Sequence, residues 1–314
     1  MKNTEVTGVR YIKLLTFSVF SVVAVSSLET PAQAGTIFTL TAAEQAYTTI
    51  SQTLKLDANS EIDGDVAILS TAAGPPGGNL NNGGFILADS PYTGAAYFAG
   101  TVSCGGGNPP NSGCNTTHLV GGTHANTATV TTAQTDWASL VTTLEGLTAT
   151  AIAGGITNSG LTLDAGVYSA SSFSLNNSAN PLVFDAQGNP NAQFVLLITA
   201  ANISVTGSAA ISLINGAQAD NVILLYEGTQ NVDWHSTGAF NGIFIDASAA
   251  NTNVNLHSAT GSTGRIVDSA GNVNFTTGHL NEPVGAVAPE PATLSLCGIA
   301  CAIALWNRRK VFHL

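Results

Sequence analysis

The sequence predicts an all-β solenoid with one helix alongside, and three observations carry that expectation. A five-residue phrase of alternating polar and apolar residues returns along the chain: Ser172-Phe173-Ser174-Leu175-Asn176, Asn202-Ile203-Ser204-Val205-Thr206, Asn231-Val232-Asp233-Trp234-His235, Asn253-Val254-Asn255-Leu256-His257 and Asn272-Val273-Asn274-Phe275-Thr276. Its starts are separated by 30, 29, 22 and 19 residues, the interval at which solenoid rungs repeat. Between the phrases lie short apolar runs at 182–184, 194–198, 210–213, 222–225, 243–245 and 266–267, so each turn holds about three strands and closes a triangular coil. Gly242-Ile243-Phe244-Ile245-Asp246 and Gly264-Arg265-Ile266-Val267-Asp268 align at the same 22-residue offset. Short strands at such spacing also describe a β-sandwich; the return of one phrase on one face favours the coil.

The ends of the chain read as addresses. Lys2, Arg10 and Lys13 precede an apolar run at 14–27 and the small-residue site Ala32-Gln33-Ala34, the pattern of a secretory signal peptide over 1–34, removed by signal peptidase. At the other end Pro289-Glu290-Pro291, an apolar stretch over 292–306 and the basic Arg308, Arg309 and Lys310 stand in order. This segment, 289–314, resembles the PEP-CTERM sorting signal of Gram-negative bacteria. The resemblance implies an exosortase as processing enzyme, transient anchoring through a transmembrane segment, and a final place at the cell surface or outside the cell. An N-terminal segment is expected over 35–56, the main domain over 57–280 and a linker over 281–288.

Without the two signals the charge changes character. Lys55 and Arg265 are the basic residues left against sixteen acids, a formal charge of −14. Nucleic acid is excluded as a partner, because two basic residues are too few to displace counterions from phosphates against so many acids. Membrane contact is expected only through the sorting helix. Cys104 and Cys114 frame a Gly/Asn/Pro-rich loop and are expected to form a disulfide in an oxidising compartment.

One segment departs from the period of two. Over 131–147, Ala133, Trp137, Leu140, Val141 and Leu144 recur at helical spacing and Gly146 marks the end, so an amphipathic helix is expected to cover a face of the solenoid. A strand is expected over 62–69. The Gly/Asn/Pro-rich stretch 74–126 reads as a loop-rich cap over an end of the coil, where a bare rung would invite pairing with another chain.

Three further segments, LTLDAGVYSASS (161–172), LVFDAQGNPNAQFVLLI (182–198) and LINGAQADNVILL (213–225), with GDVAI at 64–68, resemble the hallmark segments of the bacterial ice-binding-like domain. That resemblance covers most of 57–280. It implies an irregular right-handed β-helix of triangular section with one long helix beside it, and ice or ordered water as the partner. The local chemistry of these segments is turn-making: Asp185 to Pro190 and Asn215-Gly216 hold residues suited to tight reversals.

Catalysis is not expected, and neither is a cofactor. The β-helical lyases and hydrolases need clustered carboxylates with a basic partner, whereas Arg265 stands alone and Asp246 and Asp268 read as a solvated acidic edge. Asp233, His235 and His257 share a face, and His118 and His124 fall in the cap. No His, Cys and carboxylate set has a recognised ligand spacing, so no metal site is expected.

Adsorption to ice has a physical logic on such a coil. Rungs stand about 4.7–4.9 Å apart and alternate residues along a strand about 6.7 Å apart, so short polar side chains form a rigid grid. The candidate water-facing residues are Asn202, Ser204, Thr206, Asn231, Asn253, Asn255, Asn272, Asn274 and Thr276. Asp233, His235 and His257 interrupt that grid. An asparagine ladder that satisfies its own hydrogen bonds between rungs is the alternative account of the same face.

Overall fold

The structure, a computed structural model, describes residues 36–69, 80–82, 85–87, 93–100, 102, 104–105, 119–125, 127–157, 160–248 and 252–283. The expected signal peptide with Ala32 and Ala34, Cys114, His118 and the sorting segment from Pro289 to Lys310 lie outside the described residues, as does the side chain of Cys104. Among the described residues no helix is long and apolar enough to cross a membrane.

The chain winds into parallel rungs, each contributing segments to three faces. One sheet runs in the order Thr150–Ala151, Gly166–Ala170, Phe194–Ile198, Val222–Tyr226, Asn241–Asp246, 263–268, 49–51, Val66–Ile68, Ala96–Phe98 and Thr123–His124, parallel throughout. A second face carries the repeated phrase. The third holds Thr162–Asp164, Leu182–Asp185 and Ile211–Ile214 near one end of the stack, and 277–280 beside 59–62 and Phe85–Leu87 near the other. The phrase alignment read from the sequence is the observed register: Val205 lies opposite Trp234 and Trp234 opposite Leu256.

The 22-residue alignment is also physical register, with Gly242 opposite Gly264 and Asp246 opposite Asp268. The reason for glycine is local. A Cβ on Gly264 would lie 2.0 Å from the carbonyl oxygen of Gly242, so the two rungs turn here only where a side chain is absent.

The first sheet is buried on both sides, which explains its unbroken apolar runs. Phe194, Leu196, Val222, Leu224, Phe244 and Ile266 point into the coil, while Val195, Leu197, Ile223, Leu225, Ile243 and Val267 point outward beneath the long helix α2 (Ala128–Glu145), α1 being the single turn Ala42–Gln45. That helix lays Val130, Ala133, Trp137, Leu140 and Leu144 on the sheet. Its remaining positions are mostly threonine and serine, and Thr132, Thr135, Ser139, Thr142 and Thr143 each donate to the carbonyl four residues back. This local bonding satisfies the hydroxyls on the exposed side. The helix begins three residues earlier than its periodicity indicates, with Val130 buried in the added turn; Thr127 at its start caps no amide through its side chain and instead donates to Phe98 O.

Stacking order differs from chain order. Rungs from 150 to 281 stack in sequence, and the last of them, within the extended run Asn253–Asn281, pairs directly with Thr49–Asp63. Rungs from 66 to 124 continue beyond it, and α2, about 27 Å long, carries the chain back to the opposite end. Two expectations are corrected by this seam. The segment 35–56, read as preceding the domain, supplies the central rung and is fastened by Gln193, whose Oε1 accepts from Ile37 N and Phe38 N at 2.6 and 3.1 Å. The described parts of 74–126, read as a loop-rich cap, include short strands of the same stack, because Ile86, Ala96, Phe98 and Leu119 extend the same interior. The run 62–69 is two strands, Thr49–Asp63 and Val66–Ile68, broken at Gly64.

Arg265 sits where these pieces meet. The side chain is 1% exposed, donates from Nη1 to the carbonyls of Gln45 and Tyr47 at 2.8 and 3.0 Å, and pairs with Asp220 and Glu282 at 3.2 and 3.1 Å. It joins four parts of the chain.

Candidate functional site

The repeated face runs through Ile156–Thr157, Phe173–Leu175, Ile203–Gly207, Val232–Ser236, 253–257, 272–275, 53–56, Leu80–Asn82 and Cys104–Gly105. Period-two alternation sets its chemistry: Val232 and Trp234 are buried, and Asn231, Asp233 and His235 are exposed. The side chains fall into columns perpendicular to the strands.

One column is Ser174, Ser204, Asp233, Asn255, Asn274 and Lys55. Within it Asn274 Nδ2 donates to Asn255 Oδ1 at 2.7 Å, and Asn255 Nδ2 donates to Asp233 Oδ1 at 2.7 Å. In the neighbouring column Asn272 Nδ2 donates to Asn253 Oδ1 at 2.8 Å, and the Asn253 backbone N donates to Asn231 Oδ1 at 2.9 Å. These amides form the ladder considered as the alternative account. Each one still keeps an N–H and an acceptor lone pair for solvent, because an amide has two donors and two acceptor sites. Bonding along the column therefore fixes the orientation of what remains.

In the third column Thr206, His235 and His257 are in register. The two imidazoles stack with centroids 3.7 Å apart. Desolvation and then the neighbouring His235 hold His257 below the usual imidazole range. Thr276 follows Phe275 in the same alternation. Asn202 and Ser204 lie by an open depression of about 470 Å³, lined also by Thr229, Gln230, Asn231 and Asp233, so the face is not level at that corner. An ion pair between Lys55 and Asp57 at 3.5 Å adds charge on the rung that follows Asn274. His124 stands off this face, stacked on Tyr97 at 4.6 Å.

Two carboxylates read as a solvated edge are buried instead. Asp246 and Asp268 lie opposite each other, 2% and 0% exposed. The parity that sends Phe244 inward also sends Asp246 inward. Thr252 Oγ1 donates to Asp246 at 2.6 Å and Gly271 N to Asp268 Oδ1 at 2.6 Å, while Asp268 Oδ2 is buried with no hydrogen-bond partner among the described residues. Burial first, and then Asp246, raise the Asp268 pKa to about 7.

The sign of the resulting pH dependence is set. An unfolded aspartate loses its proton near pH 3.9, so between about pH 4 and 7 only the folded chain keeps it, and stability falls as pH rises through that window. The difference is on the order of 4 kcal/mol for a shift of this size. Asp268→Asn should therefore remove most of the fall between pH 4 and 7 in urea midpoints. Parallel pH profiles for variant and wild type would refute the assignment.

The sequence left three residues unconnected that the structure brings together: Glu61, Asp63 and His279, whose ligating atoms all lie within 4.8 Å of one another. Asp63 and His279 are 216 residues apart in the chain. No short-range spacing announces such a group.

Fold and face together place the chain among the polar-faced parallel β-solenoids. More narrowly, it belongs to the ice-binding-like family, whose model matches residues 57–281. A crystal structure of an ice-binding protein from an Antarctic biological consortium is similar at 23% identity and a TM-score of 0.53, over 77% of this chain and 90% of that one. The ice-binding protein 1 domain of Shewanella frigidimarina is similar at 20% identity and a TM-score of 0.53, over 77% of this chain and 96% of that one. At these identities the likeness is one of fold. No curated protein matches the chain in sequence.

Proposed function

We propose that this protein is an exported, non-catalytic solenoid that adsorbs to ice or ordered water through the repeated face. The observation that carries the reading is the amide ladder. The amides of Asn253 and Asn272 hold each other, those of Asn274 and Asn255 form a chain ending on Asp233, and the Asn253 backbone N–H holds the Asn231 amide, so their outward N–H and C=O groups sit on a rung-spaced grid with little side-chain entropy left to lose. Asn202, Ser204, Thr206 and Thr276 extend the grid with short neutral side chains. Export rests on the signal-peptide pattern of 1–34, and sorting through signal peptidase and an exosortase rests on the PEP-CTERM resemblance of 289–314.

A second reading has its own observation. Asp233 is built into the ladder and the Lys55–Asp57 pair flanks it, as suits a structural or adhesive matrix protein that keeps the fold without adsorbing to ice.

Thermal hysteresis and ice-recrystallisation assays separate the two. Adsorption sums many weak contacts, so Asn255→Tyr at the centre of the face should abolish most activity. The two ladder bonds it removes should cost about 1–2 kcal/mol of stability, leaving the fold intact. Asp233→Asn with His257→Thr should raise activity. An active wild type matched by an equally active Asn255→Tyr would move the site to another face; inert wild type and smoothed variant would favour the matrix reading.

A further inference from the structure

The geometry points to a divalent-cation site at the seam of the solenoid, formed by Glu61, Asp63 and His279 and suited to a first-row metal such as Zn²⁺. This inference stands apart from the ice reading, since the group lies on the third face, where 59–62 pairs with 277–280. Glu61 and Asp63 are two residues apart on one extended strand, so both carboxylates project to the same side. His279 is opposite Glu61 in register. Its Nε2 lies 3.0 Å from Asp63 Oδ2 and 3.5 Å from Glu61 Oε1.

Those separations match a metal-binding set. Ligands about 2.0–2.2 Å from Zn²⁺ in a tetrahedron stand roughly 3.3–3.6 Å from one another, so small side-chain rotations would bring all three onto one ion. A donor set of two carboxylates and one imidazole fits borderline first-row cations; Ca²⁺ prefers six to eight oxygens. The side chains are 35%, 19% and 37% exposed, which gives an ion a way in and leaves a coordination position for water.

Charge argues the same way. Lys55 and Arg265, the lysine and arginine among the described residues, are engaged elsewhere, with Asp57 and with Asp220 and Glu282. Among the described residues the two carboxylates therefore have His279 beside them but neither lysine nor arginine. A strongly acidic chain also raises the local concentration of cations. A bound ion would clip residues 216 positions apart in sequence, across the one junction where the N-terminal rungs meet the C-terminal strand. Closing so long a loop is where a metal clip is most effective.

The test uses the purified full chain, stripped with chelator and titrated with Zn²⁺ at pH 7.5 by calorimetry and in thermal melts. One equivalent is expected at this site, with Tm raised by several degrees and restored to the apo value by chelator; Ca²⁺ and Mg²⁺ should not reproduce the rise. Asp63→Asn and His279→Ala, each checked for folding by circular dichroism, should weaken Zn²⁺ by more than the roughly 10- to 100-fold that loss of an outer-shell partner costs. Co²⁺ in place of Zn²⁺ should show visible absorption that both variants lose. Absence of a Zn²⁺-dependent Tm rise, or a rise that survives in both variants, would overturn the site and leave an imidazole–carboxylate ion pair in its place.

Discussion

Arg265→Ala is expected to destabilise the protein by roughly 3–5 kcal/mol, the cost of removing one partner of a buried ion pair and leaving the others uncompensated. Two carboxylates depend on this guanidinium. Desolvation already raises the Asp220 pKa against the opposing pull of Arg265, so without the arginine the buried acid would be driven to take up a proton. The carbonyls of Gln45 and Tyr47 would lose their donors as well. Urea denaturation followed by circular dichroism measures the loss. Arg265→Met, which keeps much of the volume, should remain strongly destabilised, whereas adding Asp220→Asn and Glu282→Gln to it should recover part of the deficit. A single Arg265→Ala variant with an unchanged midpoint would remove the keystone role from this residue.

Trp137→Ala should cost about 3–5 kcal/mol, as large-to-small replacements of packed aromatics do. The ring is 1% exposed in the layer between α2 and the first sheet. Its Nε1 is buried with no hydrogen-bond partner among the described residues, so the indole contributes shape rather than polarity. Trp137→Phe should consequently cost far less than the alanine. Equal midpoints for Trp137→Ala and wild type would mean that the helix does not rest on the sheet through this residue.

Neighbouring rungs were legible in the sequence because each repeats the alternation of the last. The phrase at 202, 231 and 253 and the glycine-led segments at 242 and 264 gave correct register, since a one-residue slip would turn every apolar side chain outward. Turn chemistry was equally readable. Gln187 and Asn215 adopt left-handed backbone with φ of 50° and 52°, and Asp185 Oδ1 accepts from Gln187 N and Asn215 Nδ2, both at 2.8 Å.

What stayed hidden involves contacts between distant stretches. Thr53-Leu54-Lys55-Leu56 has the alternation of the repeated phrase but lacks its asparagines, so nothing local identifies it as the partner of 272–275. The arrangement of Glu61, Asp63 and His279 depends on that pairing. Burial of Asp246 was deducible from the parity of Phe244; an aspartate at a strand end usually meets water, and here the interior reaches past it. The amide bonds of the repeated face followed from register, while their choice of donor and acceptor needed side-chain orientations.

The seam between 263–281 and 49–63 also constrains how the molecule comes into being. A ribosome delivers the rungs of 49–124 first, yet their template in the sheet is the final strand, delivered last. Residues 150–281 can add one rung to the previous one as they emerge; the earlier rungs pair with one another but keep an open inner edge until the final strand arrives. Assembly therefore closes at the middle of the stack, joining two partial coils, and the outermost rungs among the described residues come from the chain's interior. A nascent chain arrested before residue 253 would carry both coils with their inner edges bare, open to a neighbouring polypeptide. Successful maturation thus depends on shielding those edges until the last 30 or so residues of the domain have arrived.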